Sequence, residues 1–484
     1  MRATLSFAVG AAFFVLTSMP LASDGTVTLV QTSTDPFTNN SSMHKTEVEP
    51  DILGVGSTLV SVFQVGRFND GGASDIGFAT SADAGAHWTM GFLPGITKIE
   101  HSGNPWDRAS DPTVAFDAKH GLWLAATLPL LGTTGQTPVV SRSADGINWS
   151  NPVQVGPASV FGDKDWITCD DFPSSPHFGN CYVEYDDAGN GLLINMVTTS
   201  DGGMTWGPVR NTSDFASGIG GQPVVQPNGT VVVAVDDSGE ANILSFTSTN
   251  GGASWGRSVL ASSIIDHFAN GNLRTEAFSS AGVDHAGNIF LIWQDCRFRN
   301  NCAENDIVMI VSSDGTHWSA PARVPIDATT SIVDHFIPGL AVNPSTAGAH
   351  AHLGITYYYY TNTNCSTCTL RVGFIQSTNG GATWRTPVKL TGPFNVTWCA
   401  LTNQGYMVGD YQGTSYSGST AFGMFAIAAM PSGGTFNEAM FTRSGGPSLM
   451  QPGFELSSYG ERPVPHAHSD HPRRTLQQIV ESSI

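Results

Sequence analysis

"STNGGASW", Ser248–Trp255, returns as "STNGGATW", Ser377–Trp384, with one residue changed. Four further segments follow the same plan: "SADAGAHW" (Ser81–Trp88), "SADGINW" (Ser143–Trp149), "TSDGGMTW" (Thr199–Trp206) and "SSDGTHW" (Ser312–Trp318). The six copies end on Trp88, Trp149, Trp206, Trp255, Trp318 and Trp384, with gaps of 61, 57, 49, 63 and 66 residues. A period of that size marks a repeated supersecondary unit that buries its apolar face only against its neighbours.

The second copy shows what the unit contains. "PTVAFD", "LWLAATL" and "TPVVSRS" are short apolar runs ahead of the octapeptide, and "NPVQVG" follows it. Four short strands joined by turns predict one four-stranded antiparallel blade. Within the octapeptide, Asp or Asn at the third position accepts hydrogen bonds from later amides, and glycine supplies positive φ. The closing Trp anchors the turn on its blade. One active site does not need six copies, so the motif reads as scaffold.

S-x-D-x-G-x-x-W resembles the Asp-box (BNR repeat) of the sialidase, or neuraminidase, superfamily. The resemblance spans roughly residues 47–384. Asn250 and Asn379 replace the Asp in two copies, and the copies at Asp145 and Asp314 are one residue short. The resemblance implies an all-β β-propeller; known sialidases have six blades. A second repeat opens the inner strands at Glu49, Asp111, Asp165, Gln222, Glu276 and Ile337, and a seventh, "MVGDYQGTSY", follows the last Trp. That seventh unit lacks a fourth strand, which "TVTLVQTS" (Thr26–Ser33) can supply. Seven blades closed by the N-terminal strand are therefore expected, with six as the alternative.

The flanks divide the chain. Residues 1–23 have the basic start, short apolar run and small residues of a secretory signal peptide. The run is too short to favour a membrane span. Residues 24–460 are assigned to the propeller, and the Pro- and His-containing residues 461–484 to a flexible tail. Seven cysteines suit an oxidising compartment, secreted or periplasmic. Cys169 with Cys181 and Cys296 with Cys302 read as loop staples. Cys365 and Cys368 pair with each other, or one of them pairs with Cys399.

The 484 residues carry a net charge of −19 with five lysines. That field disfavours nucleic acid and anionic membranes. A monomer that meets a glycan or glycoconjugate is expected. Ligands of propellers generally meet the face opposite the strand-three-to-four turns. Carboxylates expected there are Glu49, Asp111, Asp165, Glu276 and Asp410, with Asp70 and others from loops. Such a ring suits a glycoside-cleaving pair or a calcium ion, with no cofactor required. Sialidases clamp the substrate carboxylate with three Arg, because a guanidinium fork matches it. They add a Tyr nucleophile helped by a Glu, and an acid. Carried over by blade position, the resemblance implies Arg67, Arg108 and Arg274 as clamps, Asp70 as acid, Glu276 as helper and Tyr411 as nucleophile. Glu49, Asp111, Asp165 and Asp410 join the substrate-binding set. The Arg-Ile-Pro motif of the family is absent, and "HFIPGL" carries Phe336 where its Arg would stand. This departure favours a neutral glycan, or a non-catalytic propeller that binds glycan, cation or protein, as alternatives to a sialidase-like hydrolase.

Overall fold

The computed structural model describes residues 14–15, 28–158, 161–365, 367–445, 455–457 and 461–464. It is all-β, built of antiparallel sheets in chain order, an arrangement consistent with a β-propeller. The first unit runs Glu47–Val55, Thr58–Arg67, Ala73–Ser81 and Thr89–Phe92. The second runs Arg108–Asp117, Leu122–Leu131, Val139–Ser143 and Val153–Gln154. The third has Gly162–Cys169, Cys181–Asp187 and Leu193–Thr199, with a bridge from Met196 to Arg210 in place of a fourth strand. The fourth, fifth and sixth units open with Gly218–Val225, Ser280–Val283 and Asp334–Val342. After them come the hairpin Thr414–Ser417/Thr420–Gly423 and the pair Phe425–Ala428/Glu438–Arg443. Leu29–Gln31 pairs antiparallel with Phe441–Arg443.

Apolar faces of successive units meet. Val60, Val62, Ile76 and Phe78 of the first unit pack with Val114, Trp123 and Ala125 of the second. Tyr182 and Met196 of the third pack with Val233 and Phe246 of the fourth. The largest cluster joins Phe336 and Phe374 of the sixth unit, Phe422 and Phe425 after it, and Leu59 and Phe63 of the first. Each such side chain stabilises by roughly 1.5–3 kcal/mol when fully buried. A cavity of about 280 Å³ is lined by seven segments, among them Asp51–Gly54, Val114–Phe116, Gln222–Val225 and Gln412–Tyr416.

The octapeptides form the turns expected of them. In the fourth unit the Gly252 amide donates to Ser248 Oγ at 3.0 Å, and the Ser254 amide to Asn250 Oδ1 at 3.0 Å. The sixth repeats this with Gly381 to Ser377 at 2.9 Å and Thr383 to Asn379 at 2.8 Å. Asn therefore performs the acceptor role of Asp, which explains why both residues occur there. Trp255 is buried, its ring 5.6 Å from Phe246 and 6.3 Å from Tyr182, both edge-on.

Three disulfides join Cys169–Cys181, Cys296–Cys302 and Cys365–Cys368, and Cys399 is a buried free thiol. This resolves the alternatives left open for Cys365 and Cys368. Most of the expected signal peptide lies outside the described residues, but Phe14–Val15 pairs with Thr89–Met90 at the edge of the first unit. The expected tail boundary at residue 460 meets a docked segment. Glu455–Leu456 pairs with Trp384–Arg385, Glu461 approaches Arg323 at 3.4 Å, and the Val464 amide donates to the Arg297 carbonyl at 2.6 Å. Residues 465–484 lie outside the described residues.

Candidate functional site

One local device builds the site. The inner strands slip register by one residue between Val48 and Asp51, Ser110 and Thr113, Asp163 and Trp166, Ile219 and Gln222, and Phe336 and Gly339. Each slip is a β-bulge, which re-aims a side chain out of the regular pleat. Each contains one residue with positive φ: Glu49 (56°), Asp111 (47°), Lys164 (39°), Gly220 (70°) and Ile337 (49°). Non-glycine residues rarely hold that conformation, and it costs of order 1–3 kcal/mol, so strain is concentrated at this level of the fold.

Three of the re-aimed side chains meet. Lys164 Nζ lies 3.5 Å from Glu49 and 3.2 Å from Asp111, and it also donates to Asp410. Arg274 donates to the same Asp410 carboxylate, and its Nε lies 3.7 Å from Glu276. Gln64 donates to Glu49 and, at 3.0 Å, to Ser110 Oγ; Arg67 Nη1 donates to Gln64 Oε1 at 3.2 Å. Tyr411 donates its hydroxyl to the Pro112 carbonyl at 3.1 Å, and its ring stands edge-on to the half-buried Trp166 at 5.3 Å. All these charged groups are buried.

Burial and charge divide the carboxyls. Burial pushes Glu49 up to about 8, with Asp111 and Asp410 adding to the rise and Lys164 opposing it. Burial acts on Asp410 too, but Arg274 and Lys164 overcome it and hold that carboxyl far below its usual range. Asp410 meets both Lys164 and Arg274, whereas Glu49 has only Lys164 within ion-pair distance, so of these two Glu49 holds a proton more readily. Burial also raises Asp165, reinforced by Asp111 and Glu184. Tyr411 is pushed well up by burial and by Glu49 and Asp111, so its phenol stays protonated.

Glu49 supplies a pH test. Its folded value exceeds its ordinary 4.5, so the stability it contributes is complete below that value and is lost as pH rises through about 8. Thermal melting from about pH 5 to pH 8 should therefore show a smaller decline in Glu49→Gln than in the parent chain. Equal slopes in the two would place the proton elsewhere.

Of the residues expected at the site, Glu49, Asp111, Asp410, Arg67, Arg274, Glu276 and Tyr411 fall at or beside this cluster. Asp165 stands next to it in the same bulge as Lys164. Asp70 and Arg108 do not join it. They pair with each other at 2.7 Å near the surface, with Arg108 also bonded to the Gly71 carbonyl and lying over the Phe68 ring. The hydrogen bond from Arg108 holds Asp70 below the usual carboxylate range, which is the wrong direction for a general acid. Both therefore stand apart from the buried cluster in which the other expected residues meet. Lys164 and Trp166 escaped the sequence reading. Glu49, Asp111 and Ile337 each precede a proline, whereas Lys164 precedes Asp165, so the alignment of repeats slipped by one residue.

Among the described residues, one group has metal-ligand spacing: Asp306, Asp327 and His335. Its carboxylates already face two guanidinium groups. Arg299 Nη2 lies 2.6 Å from Asp306 and 2.7 Å from Asp327, and Arg323 reaches the same pair at 2.9 and 2.6 Å. Burial lowers His335, so its imidazole is neutral. Two arginines balance two aspartates, and the group is an ion network tying the fifth unit to the sixth.

No family model matches the chain, and no curated protein matches it. Among solved structures it is similar to an ulvan lyase, a polysaccharide lyase, with a TM-score of 0.50 and 11% identity, covering 87% of this chain and 97% of that one. It is also similar to a protein of unknown function from Dyadobacter fermentans, with a TM-score of 0.45 and 14% identity, over 72% and 99%. A sialidase from Trypanosoma rangeli, in complex with sialic acid, gives a TM-score of 0.45 and 13% identity, over 91% of this chain and 60% of that one. At such identities the likeness is one of fold.

Proposed function

We propose that this chain is a secreted, sialidase-like, glycan-active protein, built as seven blades closed by the N-terminal strand, with its site at the Glu49–Lys164–Asp410 mouth. The reading assigns it cleavage of a glycosidic bond in an acidic glycan. One observation carries the choice of an acidic sugar. Arg67 is buried, and among the described residues no carboxylate lies within ion-pair distance of it. Its Nε has no hydrogen-bond partner there, nor has Nη1 of the neighbouring Arg274. Glu49, Asp410 and Asp111 act on Arg67 only at longer range, a buried guanidinium without a direct ion pair is costly to the fold, and the spare donors of Arg67 and Arg274 match a carboxylate or sulfate. This outweighs the missing Arg-Ile-Pro motif, which pointed to a neutral sugar.

For bond cleavage, Glu49 and Asp410 have the opposed proton affinities of an acid–base pair. Glu49 would protonate the leaving oxygen as the glycosidic bond breaks, and water would add to the anomeric carbon and release its proton to solvent, while Asp410 stays ionised beside Lys164 and Arg274. Trp166 would pack against a sugar ring. Tyr411, tied to Pro112 and held protonated, takes no nucleophilic role in this reading. Its occupied hydroxyl is also what favours the second reading, a propeller that binds an acidic glycan without cleaving it.

The test is a panel of sialosides, uronate-bearing polysaccharides and neutral glycosides, scored for binding and for products. Arg67→Met should weaken binding of the acidic members roughly tenfold to a hundredfold, the worth of a charge-assisted hydrogen bond, and leave stability equal or higher. Preference for neutral members, or unchanged binding in Arg67→Met, would refute the acidic-glycan reading. Binding without product would leave the non-catalytic one.

A further inference from the structure

The bulges that build the mouth are not equally filled. Four present a long side chain: Glu49, Asp111, Lys164 and Ile337. The fourth unit presents Gly220, against which the Phe278 ring packs, and a recess of about 20 Å³ lies beside it. That volume admits one water-sized group. Its walls are Phe278, Trp166 and Tyr411, with Asp165 and Lys164 between them. Gly220 and Trp166 are partly exposed, so the recess opens toward solvent at the mouth. A Cβ at Gly220 would come within 2.9 Å of the Phe278 ring, so a side chain here would have to displace that ring.

Asp165 makes the recess chemically specific. It is 2% exposed, and neither carboxyl oxygen has a side-chain or cross-strand hydrogen-bond partner among the described residues. Buried polar groups are normally satisfied, and an unsatisfied one calls for an explanation. Lys164, the nearest cation in the wall, is engaged by Glu49, Asp111 and Asp410.

We propose that the recess at Gly220 is a specificity pocket of the mouth, and that Asp165 hydrogen-bonds one sugar hydroxyl seated in it. The inference rests on the glycan reading above. It makes Asp165 a residue that selects substrate rather than one that breaks a bond. The aromatic walls exclude a larger substituent, such as an acylated or methylated hydroxyl, from the same position. Burial raises the Asp165 carboxyl well above its usual range, which favours the protonated form that donates as well as accepts.

The experiment uses the full chain and the best-bound acidic sugar of the panel, with its set of single-deoxy analogues. Wild type should lose roughly tenfold to a hundredfold in affinity for one analogue, the one lacking the seated hydroxyl. Asp165→Ala should bind that analogue and the parent sugar equally. Asp165→Asn, which keeps the shape, should retain part of the preference. Melting curves identify folded variants, and removing a buried, unsatisfied acid should not lower them. If binding depends on Arg67 but Asp165→Ala keeps the wild-type preference, the pocket is refuted and the glycan reading stands. If no sugar binds at the mouth, both fall together.

Discussion

Glu49→Gln is expected to lower turnover of a cleaved acidic glycan by roughly 10²–10⁴-fold, the usual worth of a positioned general acid, with little change in KM. The amide keeps the size of the carboxyl and its place beside Gln64 and Lys164, so the ground-state complex should survive. What it lacks is the proton that burial secures up to about pH 8. In the parent chain, kcat should accordingly fall on the alkaline side as that proton is lost. Substrates with very acidic leaving groups need less protonation and should be spared in the variant. A variant with full activity and an unchanged alkaline limb would remove Glu49 from the chemistry.

Trp255→Ala should act on stability alone. Truncating a buried tryptophan leaves a cavity and costs about 3–5 kcal/mol. Here the loss falls on the contact between the third and fourth units, where Tyr182 and Phe246 flank the indole. Chemical denaturation would register a lower midpoint, and glycan binding by the surviving folded fraction should equal that of the parent. A folded Trp255→Ala chain with lost binding would return the octapeptide to the functional site. Met204→Ala, at an exposed position in the third unit's turn, provides the control and should shift stability by less than about 0.5 kcal/mol.

Much of the architecture was readable because its signals are local. The octapeptide turns, the strand runs before them and the two close cysteine pairs each depend on residues near in sequence. The mouth was harder. Glu49 and Asp111 could be found because acidic residues recur at the same point of the repeat. Lys164 could not, since a bulge places it where a pleated strand would have placed Asp165. The residue before a proline ordinarily avoids helical conformations, and nothing in Glu49-Pro50 or Asp111-Pro112 announces a positive φ. Asp70 and Arg108 were assigned by loop position, which carries no information about side-chain direction. Arg108 found a nearer acid in Asp70 than any at the mouth, and the two cancel each other's use.

The pairing of Leu29–Gln31 with Phe441–Arg443 sets a timetable for assembly. Leu29–Gln31, made early in synthesis, must wait for roughly four hundred further residues before its partner exists. Contacts so remote in sequence close slowly, because the entropy of bringing the ends together is spent before any bond rewards it. Until then Glu438–Arg443 or its partner presents an open strand edge, and the apolar cluster around Phe422 and Phe425 lacks its cover. Chains cut short before residue 438 should therefore accumulate as aggregates rather than as smaller folded proteins, even when every preceding unit is intact.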